Sequence, residues 1–216
     1  MKDELVLSVC TDICNEKMQT AINRRSNIEA IDLGLPSGRL WANMNLGANA
    51  PEETGLYYSW GNVEGHIAGG DYDFDEYENT EGSKLKSDID LEHDAAHAAL
   101  GGNWRMPTGK EYQELFNCTD NKRAAINGVK GWKFMKKSDH SVFVFFPAAG
   151  FYTGTKLRNH EPKNHFILNG SYWAADVLKP NFLYPNPANY FLFSSTEIYP
   201  QFCGTRKNGH TIRAIQ

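Results

Sequence analysis

The sequence predicts an α+β fold: short antiparallel strands, two or so helices and long loops in one domain over residues 28–216, with residues 1–27 set apart as an N-terminal helix. Three observations predict it. Apolar side chains recur at helical spacing through the first 25 residues and give way, from Ile28, to short extended pieces separated by tight turns. Gly101–Phe116 has the grammar of a buried strand-to-helix corner. Residues 129–146 read as a hairpin.

The first segment places Leu5, Val6, Val9, Cys10, Ile13, Cys14, Met18, Ala21 and Ile22 largely on one helical stripe. Asp3 and Glu4 near its start and Arg24 and Arg25 near its end suit the helix dipole. From there Ile31–Leu35 and Arg39–Ala42 flank Pro36-Ser37-Gly38, where proline pre-sets the first turn dihedral and glycine closes the turn. The aromatic piece Leu56–Gly61 follows the turn Ala50–Gly55. Asp71–Glu78 is acidic and is read as a solvated loop, because its spacing fails the glycine and glutamate positions of a calcium loop. Asp94 and His97, three apart on a short helix, are read as a structural hydrogen bond.

The corner carries the strongest local signal. Two glycines release the chain, then Trp104 and Met106 point to one side of a short strand and Arg105 to the other. Pro107 ends the strand because it has no N–H for a ladder bond. Thr108 and Glu111 form a capping box, and Tyr112, Leu115 and Phe116 give the helix one buried face. In the hairpin, Val142–Phe146 is apolar on both faces and is expected to be central, with Phe143 and Phe145 fully buried. Trp41, Trp60, Trp104, Trp132 and Trp173 are expected to be mostly buried. Further on, Ser171–Ala175 and Tyr190–Ser194 read as scaffold strands and Thr211–Ile215 as the strand that closes the sheet. Thr153–Lys163, Asp176–Asn189 and Thr196–Asn208 read as surface loops.

Composition narrows the function classes. The 216 residues carry a formal charge of −4 and no basic stripe, which argues against nucleic acid as a partner. No apolar run reaches membrane-spanning length. The N-terminus lacks an export signal, so a cytoplasmic or virion-associated location is expected. The four cysteines form no C-x-x-C, so neither a zinc ribbon nor a dithiol redox site is supported. His160–His165 nearly imitates a metalloprotease motif, but the second histidine is one residue late and Pro162 breaks the required helix. The expectation is no cofactor and no bound metal.

Five blocks in order, "LGLPSGRLWANMNLGANAPEETGLYYSWG", "LEHDAAHAALGGNWRMPTGKEYQELFNC", "FFPAAGFYTG", "GSYWAAD" and "GHTIRAI", resemble the Fibrobacter succinogenes major paralogous domain family. They span about residues 30 to 216. The resemblance implies a C-type lectin-like fold, related in architecture to sulfatase-modifying-factor domains. Ala214 departs from the proline expected in the last block.

Three functions compete under that resemblance. A sulfatase-modifying-factor-like enzyme needs a reactive cysteine pair near the end of the domain, and only Cys203 lies there, with Arg206 and Lys207 near it in sequence. Calcium-dependent sugar binding needs oxygen ligands where Glu161-Pro162-Lys163 offers a cation, so it is rejected; a surface glycan-binding or adhesion module stays as an alternative. The preferred reading is a non-catalytic protein that binds a protein or cell-surface ligand through C-terminal loops, as a phage or bacterial receptor-binding protein would.

The resemblance extends to variable proteins of diversity-generating retroelements, in which adenines of asparagine codons are randomised near the 3′ end. Randomised AAC reaches Phe, Tyr, Cys, Gly, Thr, Asp, Leu, Pro and Asn, but never Lys, Glu, Gln, Trp or Met. Asp176, Leu178, Asn181, Phe182, Tyr184, Tyr199, Phe202, Cys203, Gly204 and Thr205 all belong to the reachable set. These ten are expected to cluster on one exposed face, aromatic at its centre and polar at its rim. Lys179, Glu197, Gln201 and Lys207 would be fixed scaffold.

Overall fold

Asn127 and Gly128 take left-handed backbone angles, φ 48° and 84°, and reverse the chain in two residues, as a tight hairpin requires. They join β3 (Asp120–Ile126) to β4 (Val129–Lys136), and β4 continues into β5 (Asp139–Pro147), giving an antiparallel sheet of order β3-β4-β5. The computed structural model describes residues 28–158 and 169–216. The N-terminal helix expected over residues 1–27 and the motif at 160–165 lie outside the described residues.

Three further antiparallel sheets are present: β1 (Ala30–Ile31) with β2 (Trp41–Ala42), β6 (Phe151–Thr153) with β7 (Lys156–Arg158), and β8 (Gly170–Val177), β9 (Pro187–Phe193) and β10 (Ile198–Thr205) in the order β10-β9-β8. The α-helices among the described residues are α1 (Ala95–Leu100) and α2 (Gly109–Cys118). Among the described residues, strand at 37% against helix at 13% makes the architecture mostly β. The α+β expectation is thereby corrected. The difference lies in two segments without clear apolar alternation: Asp120–Ile126 is β3, and Ile198–Thr205, expected as loop, is β10.

The helical half of the corner forms as its sequence dictates, while its extended half is reduced to a single bridge, Arg105 to Ile215. Thr108 caps α2 and Glu111 closes the box, Thr108 N donating to Glu111 Oε2 at 2.8 Å. Asp94 caps α1 and also accepts from the Met106 amide at 2.9 Å, so it ties the helix to the corner strand. Its partner in His97 is the backbone amide, at 3.0 Å. Met106, Tyr112 and Leu115 are buried, whereas Trp104 is only half-buried.

The main core lies between α2, the β3–β5 sheet and one face of β8–β9. Tyr112 stacks on Phe191 with ring centroids 4.8 Å apart, and Phe134, Phe146, Tyr172 and Trp41 close around them. Each such ring contributes roughly 1.5–3 kcal/mol on burial. A second cluster gathers Trp60, Trp173, Met106 and Ile212 on the other face of β8–β9, and a third joins Tyr57, Phe74 and Tyr152. Phe145 is fully buried, but Phe143 is not. Phe143, earlier on the same strand, is half-buried beneath Lys133 Nζ, 3.7 Å from its ring centroid. Trp132 is likewise half-buried, its Nε1 donating to Ser194 O at 3.0 Å.

Two more expectations change. The acidic stretch is a 3-10 helix over Phe74–Asn79 whose Phe74 and Tyr77 are buried, so only its carboxylate side is solvated. The C-terminal stretch is no continuous strand. It crosses between sheets through single bridges: Gly209 to Tyr152, His210 to Tyr58, Thr211 to Tyr172, and Ile215 to both Trp41 and Arg105.

Candidate functional site

β9 sits at the centre of its sheet, and its alternating side chains serve two layers. Phe191 and Phe193 point into the main core, while Ala188 and Tyr190 point toward Trp173. β10 covers β9 with Phe202 opposite Tyr190 and Gly204 opposite Ala188. The Tyr190 and Phe202 rings meet at 5.5 Å, and Phe202 meets Tyr199 at 5.8 Å, both edge to face. Phe202 is 40% exposed and Tyr199 39%. An aromatic layer rooted in the core therefore reaches solvent along β10.

The connection between β8 and β9 adds a projecting tip. Asn181 Oδ1 accepts from the amides of Leu183 and Tyr184, each at 2.9 Å, and Asn181 N donates to Tyr184 O at 2.9 Å. A side chain that imitates a backbone turn in this way fixes the loop without burying it. Phe182 at its apex is 99% exposed and Leu183 76%. Tyr184 returns toward Tyr190: burial first, then the Tyr184 phenol and the Cys203 thiol, push the Tyr190 hydroxyl above its ordinary value. Among the described residues, Phe182, Leu183, Tyr199 and Phe202 are four of the seven exposed large apolar side chains. Their concentration on one loop and the neighbouring strand sets this region apart.

β10 is an edge, but Pro200 and a register shift between Tyr199 and Phe202 interrupt its ladder. Both features discourage strand addition. What the edge offers is side chains. Tyr199 donates its hydroxyl to Glu197, and that bond pushes its phenol pKa upward.

The ten expected positions divide. Asn181, Phe182, Tyr199 and Phe202 are exposed, and Tyr184 is half-buried at the base of the tip. Gly204 is buried scaffold: a Cβ there would stand 2.8 Å from Tyr190 Cε1. Asp176 is a brace, accepting from Gly109 N at 2.6 Å and from Asn189 Nδ2 at 2.8 Å, so it ties β8 to α2 and β9. Cys203 lies opposite Asn189, on the α2 side of the sheet, and Thr205 shares that side by alternation. Leu178 is half-buried, its amide donating to Pro187 O at 3.4 Å. The expected single face thus shrinks to five positions. Tyr190, read from sequence as plain scaffold, joins them; its place opposite Phe202 was the only available signal, and it needs the β9–β10 pairing to be known.

The chemistry of a nucleophilic site is weakly represented around Cys203. Arg206 lies 4.2 Å over the Trp60 ring and donates to Leu85 O at 2.7 Å, while Lys207 pairs with Asp75 at 2.7 Å. Both cations are held elsewhere. Among the described residues no three His, Cys, Asp or Glu side chains gather where they could hold a metal ion. No helix among them is long and apolar enough to cross a membrane. Comparison with family models, curated proteins and solved structures finds no match.

Proposed function

We propose that the protein is a non-catalytic ligand-binding protein that recognises a protein or cell-surface ligand through the aromatic face of Tyr184, Tyr190, Tyr199 and Phe202 and the Phe182–Leu183 tip. The observation that carries this reading is the tip itself. Two large apolar side chains held in water by a side-chain-locked turn contribute nothing to the core, yet stand pre-ordered for a partner. Rigid aromatics give contact area at low entropic cost, and the exposed Asn181 and Asn186 supply polar groups beside them.

The resemblance to the major paralogous domain family, and to retroelement variable proteins, favours a protein partner and variation at this face. A sulfatase-modifying-factor-like activity has less support, because Arg206 and Lys207 are engaged away from Cys203. The test is the gene's surroundings and its sibling copies. A reverse transcriptase beside an imperfect copy of the 3′ end, with differences concentrated at Asn181, Phe182, Tyr184, Tyr199 and Phe202, is the expected result. Siblings that are identical at these five and differ at Asp176 or Gly204 would overturn the reading.

A further inference from the structure

His210 is fully buried beneath the aromatic face, and neither ring nitrogen has a hydrogen-bond partner among the described residues. Three rings enclose it: Trp173 from β8 at 4.1 Å, Tyr190 from β9 at 4.7 Å, and Phe151 from β6, stacked at 5.5 Å. Its backbone is fixed by a two-way pair with Tyr58, at 2.9 and 3.1 Å. A neutral imidazole fits this box as a flat, weakly polar ring. An imidazolium does not, since its two N–H donors would have no acceptor and its charge no counter-ion.

The groups around the box leave the charge unanswered. From β9, Tyr190 faces the imidazole; from β8, Trp173 does so, while Asp176 at the far end of that strand is spent on Gly109 and Asn189. From β6, Phe151 faces it, with Tyr152 turned to Tyr57 and Phe74, and the cross-strand Arg158 exposed. Cys203 on β10 reaches only as far as Tyr190. On its own segment Lys207 is paired with Asp75. No charged group among the described residues acts on the ring, and burial alone pushes its pKa down to about 3.

We infer that His210 is an acid-sensitive latch for the aromatic face: a proton on the ring is accommodated only when Tyr190 lifts away, and Tyr190 carries Phe202 and the β9–β10 pairing with it. Used as a release device, this rests on the binding reading above; the latch itself does not. The sign follows from the lowered pKa. Above the ordinary histidine value of 6.5 the ring is neutral whether the box is open or closed, and nothing changes. Between 6.5 and about 3 the open form binds a proton that the closed form refuses, so opening grows about tenfold per pH unit.

Residue-resolved amide exchange on the full chain at pH 7.5 and 5.0, corrected for intrinsic rates, tests the latch without any ligand. Protection at Tyr190 and Gly204 is expected to fall about 30-fold relative to Phe134 and Phe145, and His210→Phe is expected to abolish that difference. Equal loss in both sheets, or a difference that survives in His210→Phe, overturns the latch. Should that variant not fold, the wild-type imidazole decides by its own NMR titration. A ring still neutral at pH 5 in the closed form supports the latch, and a midpoint near 6.5 with protection intact overturns it. A latch that opens on a protein whose face binds nothing would instead count against the binding reading alone.

Discussion

The Arg213 guanidinium lies 4.7 Å from the Phe146 ring centroid, fully buried and without a carboxylate partner among the described residues. Its charge is met by neutral acceptors: Nε donates to Asn45 Oδ1 at 3.0 Å, Nη1 to Ala42 O at 3.0 Å and Nη2 to Phe145 O at 2.6 Å. Burial pushes its pKa down to about 10, so the cation persists at neutral pH. One side chain thereby ties the C-terminal crossing to β2, β5 and the Asn45 turn.

Arg213→Lys keeps the charge but loses the fork, leaving at least two of those acceptors buried and unpaired. Each costs about 1–3 kcal/mol, so a loss of about 2 kcal/mol or more in unfolding free energy is expected from urea titration. A loss under about 1 kcal/mol would show that the three bonds are not what holds the crossing in place.

Glu111 joins the capping box to a second pair of contacts, Arg105 Nη1 at 2.9 Å and Arg39 Nε at 3.3 Å. Burial pushes its carboxyl up, but the hydrogen bonds from Arg105 and Thr108 outweigh burial and hold it below the ordinary value. A lowered folded pKa gives stability that is complete above about 4.5 and fades as pH falls further. Glu111→Gln is expected to cost about 1.5–3 kcal/mol at pH 7 and much less at pH 3. Urea midpoints for both proteins across pH 3–7 check this; parallel profiles would refute the sign.

These contacts show which parts of the molecule were legible in the sequence. The corner was, because a capping box is written in four consecutive residues and its partners are local. The β4–β5 hairpin was read for the same reason, but not its place at the sheet edge, which depends on β3. That strand, Asp120–Ile126, is polar and half-exposed and has no apolar alternation; the Asn127–Gly128 pair was its one local sign. β10 has the composition of a loop at Tyr199, Pro200 and Phe202, and only pairing with β9 makes it a strand. The candidate site suffered in proportion. Codon reachability picked out Phe182 and Phe202, yet it could not separate them from Gly204 and Asp176, whose roles are set by contacts 13 or more residues away.

Gly204 gives a direct test of that separation. An added methyl would meet the Tyr190 ring, which in the closed face is packed against Phe202, Trp173 and His210, so relief requires those contacts to be given up. Gly204→Ala is expected to cost about 1–3 kcal/mol in thermal or urea unfolding. A neutral substitution would return Gly204 to the set of freely variable positions.

The tip should behave in the opposite way. Phe182 and Leu183 lie in water, so Phe182→Ser and Leu183→Ser should leave the unfolding midpoint within about 0.5 kcal/mol of wild type. Asn181→Ala removes the acceptor that holds two amides of the turn, both at the surface, so its effect should be local. Faster exchange at Leu183 and Tyr184, with β8 and β9 amides unchanged, is the expected signature. The contrast with Gly204→Ala matters because a recognition element must be ordered by contacts that global stability does not need. If Asn181→Ala instead lowers the midpoint by more than about 1 kcal/mol, the tip is part of what holds β8 to β9, and its exposed apolar side chains lose their claim to be kept for a partner.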